Sequence, residues 1–123
     1  MSDEERRKQA AEACGRVLDT EFFKALCEPV RVAIIRRLIL IGRSDVAAIA
    51  EGMPQDRSVV SRHLALLERA GIAVSEKEGR HVFYDLDGPA IVRRLEELLA
   101  VTRGLADICC PPAKAEAAPS QEE

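Results

Sequence analysis

Four polar residues, Arg57, Ser58, Ser61 and Arg62, fall within two turns of a stretch whose apolar positions are Val60, Leu64 and Leu67. Coiled as a helix, spacings of three and four put the apolar side chains on one side and turn the four polar ones outward. Such a face suits B-DNA. An α-helix fills the major groove, Arg makes bidentate bonds to guanine, and Ser bonds a base edge or a phosphate. Arg57 and Arg62 are the best candidates for reading bases. Lys77, Arg80 and His81 gather around Glu78-Gly79, where a basic tip can enter a neighbouring minor groove or touch phosphate. His63 lies nearer the apolar side and reads as a packing histidine bonded to backbone, and Arg36 and Arg37 read as solvated.

The elements that position these groups follow from local pattern. Residues 3–26 read as a first helix, with an apolar stripe at Cys14, Val17, Leu18, Phe22, Ala25 and Leu26. Pro29 opens a second, with Val30, Ile34, Ile35, Leu38 and Ile39 inward, and Gly42 ends it. Ser44 is expected to cap a short third helix, Asp45–Glu51, broken by Gly52-Met53-Pro54. Asp56 caps a fourth that runs to Ala70 and closes at Gly71. Alternation at Ile72, Val74, Val82 and Tyr84 predicts a two-stranded hairpin over Ile72–Leu86. Asp87-Gly88-Pro89 starts a last long helix, whose Ile91, Leu95, Leu98, Thr102, Leu105 and Cys109 repeat at heptad-like spacing and call for a partner helix, hence a homodimer. Pro111-Pro112 stops it, and residues 111–123, rich in Ala, Pro, Glu and Ser, are expected to be a disordered C-terminal tail. The architecture is therefore mainly α with a small β-hairpin, and residues 1–110 form one domain for DNA binding and dimerisation.

Charge distribution fits this better than charge sum. The 123 residues carry a net charge of -3, yet residues 24–81 hold ten Lys or Arg against seven Asp or Glu, a local excess of three positive charges. No apolar run approaches the roughly 18 residues of a membrane span. The charged N-terminus lacks the apolar core of a signal peptide, so a cytoplasmic protein is expected, with its four cysteines as thiols rather than disulfides. Enzyme chemistry is disfavoured: neither of the two His stands with a Cys or Ser in an arrangement of nucleophile, base and orienter, and no glycine-rich phosphate loop is present.

Three segments occur in a telling order: Leu26-Cys27-Glu28-Pro29-Val30-Arg31; Val60-Ser61-Arg62-His63-Leu64 with Leu67 and Ala70-Gly71-Ile72; and Glu78-Gly79-Arg80-His81-Val82-Phe83-Tyr84. With them, residues 20–108 resemble the ArsR/SmtB family of dimeric bacterial repressors. The resemblance implies a winged helix-turn-helix with four helices, a two-stranded wing and a fifth helix. It also implies dimerisation through the first and last helices, and repression at double-stranded operator DNA that an inducer relieves, with no cofactor required for DNA binding. By position, its DNA-reading residues fall on Arg57, Ser58, Ser61 and Arg62.

This chain departs from the family at both of its better-known inducer sites. The metalloid site in the third helix needs Cys-x-Cys, and that helix here reads Asp45-Val46-Ala47-Ala48-Ile49-Ala50; the zinc-type site needs His in the last helix, which has none. Cysteines remain. Cys109-Cys110, adjacent thiols before two prolines, can turn toward one soft ion. Cys14 of one protomer is the choice for a third sulfur beside Cys109 and Cys110 of its partner, completing a pyramidal site for As(III) or Sb(III). Cys27, at a small-residue position, reads as a buried core thiol. Two other readings stand beside this one: a redox or reactive-sulfur sensor of the same fold, and a winged-helix protein-interaction module whose cysteines are structural.

Overall fold

Short side chains that bond their own backbone divide the chain into its helices. The computed structural model describes residues 2–109, and among them are six helices and three strands: α1 (Asp3–Leu18), α2 (Glu21–Ala25), α3 (Pro29–Ile41), β1 (Ser44–Asp45), α4 (Val46–Glu51), α5 (Arg57–Arg69), β2 (Ala73–Glu78), β3 (His81–Leu86) and α6 (Gly88–Cys109). The chain divides into two compact units. Asp19–Arg94 make one, and α1 with the part of α6 from Leu95 onward belongs to the other. The boundary of the expected tail, residues 111–123, lies outside the described residues.

The single helix expected over residues 3–26 is broken. Thr20 is extended (φ -125, ψ 157) and its hydroxyl accepts from the Phe23 N–H, starting α2 afresh. A threonine beside Asp19 competes for backbone donors, which apolar spacing does not register. Phe22 and Ala25 then point into the core of the winged unit, while Cys14 and Val17 remain on α1. Glu28 starts α3, its Oε1 accepting from the N–H groups of Val30 (2.7 Å) and Arg31 (3.2 Å), with Pro29 in the first helical position where its missing N–H costs nothing. Ile34 and Leu38 are buried as expected, but Ile39 is 67% exposed and faces out with Leu40.

Asp45, rather than Ser44, caps α4: its Oδ1 accepts from the Ala48 N–H at 2.9 Å. Ser44 is diverted into the sheet, pairing with Tyr84, and its hydroxyl bonds the Gly42 carbonyl. The expected hairpin is present as β2–β3, and β1 adds a short third strand on the far side of β3, giving an antiparallel sheet ordered β1-β3-β2. Pairing of Val74 with Asp85 and of Ser75 with Tyr84 puts Val74 on the opposite face from Tyr84 and Val82, so Val74 is exposed and not a core position.

The core of the winged unit gathers Phe22, Ile34, Leu38, Ile49, Val60, Leu64, Leu67 and Ile72, with Tyr84, Leu86 and Ile91 packed against it. Gly71 (φ 81) supplies the left-handed turn between α5 and β2. Asp87 accepts from the Ala90 N–H at 3.1 Å and starts α6. The fold is a winged helix-turn-helix. No helix among the described residues is long and apolar enough to cross a membrane.

Asp45→Ala removes the cap of a helix of only six residues and is expected to cost about 1 kcal/mol of stability. Urea unfolding of variant and wild type measures it, and an unchanged midpoint refutes the capping role.

Candidate nucleic-acid interface

The recognition face is built from the inside of α5 outward. Val60, Leu64 and Leu67 are fully buried, so the 3.6-residue repeat turns Arg57, Ser58, Ser61 and Arg62 to solvent, and all four are exposed. Asp56 fixes the helix start: its Oδ1 accepts from the Val59 N–H at 3.0 Å and the Ser58 hydroxyl at 2.8 Å. The Val59 bond, then the Ser58 bond, and further the charge of Arg62 hold the Asp56 carboxyl below the usual carboxylate range. Ser58 has therefore committed its one donor to Asp56. Its lone pairs remain for a base amino group, whereas a phosphate would have to draw the hydroxyl away from the cap.

The wing arranges its charges by face. Glu76, Glu78, His81 and Phe83 share one side of the sheet by register, and Lys77, Val82 and Tyr84 the other. Arg43 lies over the Phe83 ring, 4.4 Å from its centroid, and bonds Glu76 Oε1 at 3.1 Å and Glu78 Oε2 at 2.7 Å. Both wing acids are thereby partnered, while Lys77 and Arg80 stay exposed without an ion pair among the described residues. Arg43 was not among the sequence candidates. Its signal was acids two apart on one strand, facing the same way, but the partner from another element is not visible locally.

A shallow groove of about 240 Å³ brings the two predicted basic groups together, lined by Arg57 from α5, Arg80 and His81 from the wing, and Asp45, Val46, Ala47 and Val82. His81 Nδ1 stands 3.5 Å from Asp45 Oδ2, so this ring is oriented by the cap of α4. Ser61, Arg62 and Lys77 are not part of that groove lining. His63 is half-buried, and its Nδ1 accepts from Arg31 Nε at 3.3 Å, an arginine partner rather than the expected backbone.

Cys14 is half-buried on α1. Cys27 is exposed, its thiol donating to the Phe23 carbonyl at 3.4 Å, and is not the core thiol expected. It sits past the end of α2, where the chain turns toward Pro29 at the surface. Cys109 is the last residue of α6 and belongs to the same compact unit as Cys14, and Cys110 lies outside the described residues. Among the described residues no group of three His, Cys, Asp or Glu is placed to hold a metal ion.

A buried-backed helix with a basic outer face, beside a wing with a basic tip, defines a winged helix-turn-helix transcriptional regulator. No family model matches the sequence. Individual proteins do. The chain is 30% identical over 105 residues to the arsenical resistance operon repressor of Escherichia coli, covering 76% of this chain and 90% of that protein. It is 36% identical over 86 residues to the cadmium resistance transcriptional regulatory protein CadC homolog of Staphylococcus aureus, covering 70% and 71%. In structure it is similar to the homodimeric winged helix-turn-helix DNA-binding domain of a possible ArsR-family regulator from Mycobacterium bovis, with a TM-score of 0.53, 27% identity, and 87% of this chain and 88% of that one covered. The chain belongs to the ArsR/SmtB family of transcriptional regulators, which are not enzymes.

The lowered pKa of Asp56 gives a signed expectation. A carboxylate favoured in the folded state stabilises above its unfolded value, 3.8, and that contribution is lost as pH falls through the folded value. Asp56→Asn should therefore melt below wild type near neutral pH and converge with it in strong acid. A gap in melting temperature that persists to about pH 2 contradicts the assignment.

Proposed function

We propose that the protein is a transcriptional repressor, acting in the cytoplasm as a homodimer on double-stranded operator DNA, and releasing that DNA when a soft metal or metalloid binds its thiolates. The observation that carries the DNA half is the convergence of Arg57 and Arg80 on one groove beside exposed Ser61 and Arg62. In this reading α5 enters the major groove with Arg57 and Arg62 at base edges. Ser58 accepts from a base amino group, Ser61 bonds a base edge or sugar-phosphate, and Lys77 and Arg80 hold phosphate near the adjoining minor groove. The exposed Val92, Leu95 and Leu99 of α6 support a partner helix, as does the homodimeric solved structure.

The inducer half takes its support from the relatives named for arsenical and cadmium resistance and from the soft-ligand character of thiolate. Cys109 and Cys110 of one protomer, with Cys14 of its partner, form the site for As(III) or Sb(III), and residues 1–110 are the part of the chain that binds DNA and dimerises. Arsenite brings three acceptor positions for sulfur and none that requires His, which this chain lacks in α6.

Arg62→Ala should weaken specific operator binding by about 1–3 kcal/mol while leaving a folded dimer. Fluorescence anisotropy on duplex DNA from upstream of its own coding region reads this out, and undiminished affinity refutes Arg62 as a base reader. Cys109→Ser and Cys110→Ser should keep DNA affinity and lose release by As(III). A panel of As(III), Sb(III), Cd(II), Zn(II), oxidant and persulfide on the wild-type complex decides the chemistry. Release only by oxidant or persulfide, reversed by reductant, transfers the thiols to redox sensing.

A further inference from the structure

Arg37 does something that neither the DNA contacts nor the core explains. It lies on α3, is half-buried, and points at the end of α4. Its Nη2 donates to the Ala48 carbonyl at 3.0 Å and its Nε to the Ile49 carbonyl at 3.3 Å. These are carbonyls of the last turn of α4, where the helix dipole favours a cation. A solvated arginine, as the sequence suggested, is ruled out by those two bonds.

Gly52 follows immediately, with φ -95 and ψ 15. That conformation is open to any L-residue, so glycine is not demanded by the backbone. What demands it is space. A Cβ at Gly52 would stand 2.5 Å from Arg37 Cζ, 2.6 Å from Nε and 2.8 Å from Nη1. The guanidinium plane rests on the bare Cα, and because it ends a flexible side chain, an added methyl would displace it from its two carbonyls rather than move the backbone.

We infer that Arg37 and Gly52 form a clamp that holds the end of α4, and with it the connector into the Asp56-capped recognition helix, making Arg37 a positioning residue for operator binding without touching DNA. The segment 52–56 joins α4 to α5, and Arg57 stands directly after it. α4 has six residues and one fully buried side chain, Ile49; besides core packing by Ala50 and Met53 and the turn bond from the Met53 N–H to the Ala50 carbonyl, the Arg37 fork is the side-chain tie to its last carbonyls. Without the clamp, α5 keeps its buried stripe and its Asp56 cap, but the connector that carries its first turn loses an anchor on α4, loosening the aim of Arg57, Ser58, Ser61 and Arg62. A misaimed fork loses bidentate base bonds before it loses phosphate attraction.

The inference rests on the DNA-binding reading above, and a double-mutant cycle separates the two. The probe is a duplex selected from a random pool by the wild-type protein, titrated by anisotropy over a salt series, with a scrambled duplex alongside and thermal melts of each variant. Failure of the wild type to select any duplex sinks the DNA-binding reading, and this inference with it. Given selection, Arg37→Met and Gly52→Ala should each weaken the selected duplex about tenfold, the scale of one lost base contact. Scrambled-duplex affinity and the salt slope should stay at wild-type values. In the double variant, Gly52→Ala should add nothing to Arg37→Met, since the group it displaces is gone. Arg37→Lys, which keeps the charge and loses the fork, should resemble Arg37→Met. A salt slope reduced by about one in Arg37→Met makes Arg37 a phosphate contact and overturns the inference. Additive losses in the double variant, or wild-type specificity in both folded single variants, overturn it too.

Discussion

Val60, Leu64 and Leu67 have no exposed surface, and most of what the winged unit can do depends on that burial. Fully burying a side chain of this size is worth about 1.5–3 kcal/mol, so rotating α5 to hide its arginines would forfeit several such contributions at once. Against this, the exposed polar residues of the first turn add little to stability and are free to be chosen for chemistry. Asp56 refines the arrangement by fixing where the helix starts. Burial thus sets the rotation of α5 about its axis, and the cap sets its phase along the chain.

Counting basic residues overstates what can meet a phosphate. Of the ten Lys and Arg between residues 24 and 81, Lys24 pairs with Asp19, Arg31 donates to His63, Arg37 to two carbonyls and Arg43 to two carboxylates. A guanidinium so occupied would have to give up bonds of 2.7–3.3 Å before binding elsewhere. Arg57, Arg62, Lys77 and Arg80 carry no such commitment to an ion pair among the described residues. Arg43 acts differently from the others of the bound set: by partnering Glu76 and Glu78 it offsets two carboxylates beside the wing tip that would otherwise repel a polyanion. The interface is made basic as much by neutralised acids as by free bases.

Sequence pattern revealed what is local. The periodicity of α5, the Asp56 cap, the glycine at 71 and the charged turn of the wing all act within a few residues, and each is legible in the local pattern. What escaped notice was decided between elements or by competition. Residues 3–26 keep helical spacing straight through Thr20, so only the hydroxyl's bond to Phe23 reveals the break. Ser44 is as good a cap as Asp45 in isolation, and both pair with β3; what separates them is that the Ser44 hydroxyl turns back to the Gly42 carbonyl while Asp45 takes the Ala48 N–H. Arg37 and Arg43 find their partners 11 to 35 residues away, beyond any window. For the inducer, the cysteines were legible as residue types, but a ligand set is a matter of distances. The proposed site draws on two protomers because the first and last helices are expected to meet across a dimer, a relation no single chain's pattern can display.

Release from DNA places a quantitative demand on such a site. An inducer acts only through its differential affinity for the free and the DNA-bound states, and couplings of about 1–3 kcal/mol, a factor of roughly 5–150, are typical. Phosphate attraction is tolerant of small shifts, being long-ranged and sequence-independent, whereas bidentate base contacts are not. If two recognition helices of a dimer must meet successive turns of one duplex, about 34 Å apart, a change of spacing that spoils one base contact per protomer already supplies a coupling of the typical size. Thiolate ligation therefore need not dismantle the winged unit. In the proposed mechanism it need only disturb the register of two helices whose aim, within each protomer, would be held by a buried stripe, a carboxylate cap and the proposed arginine clamp.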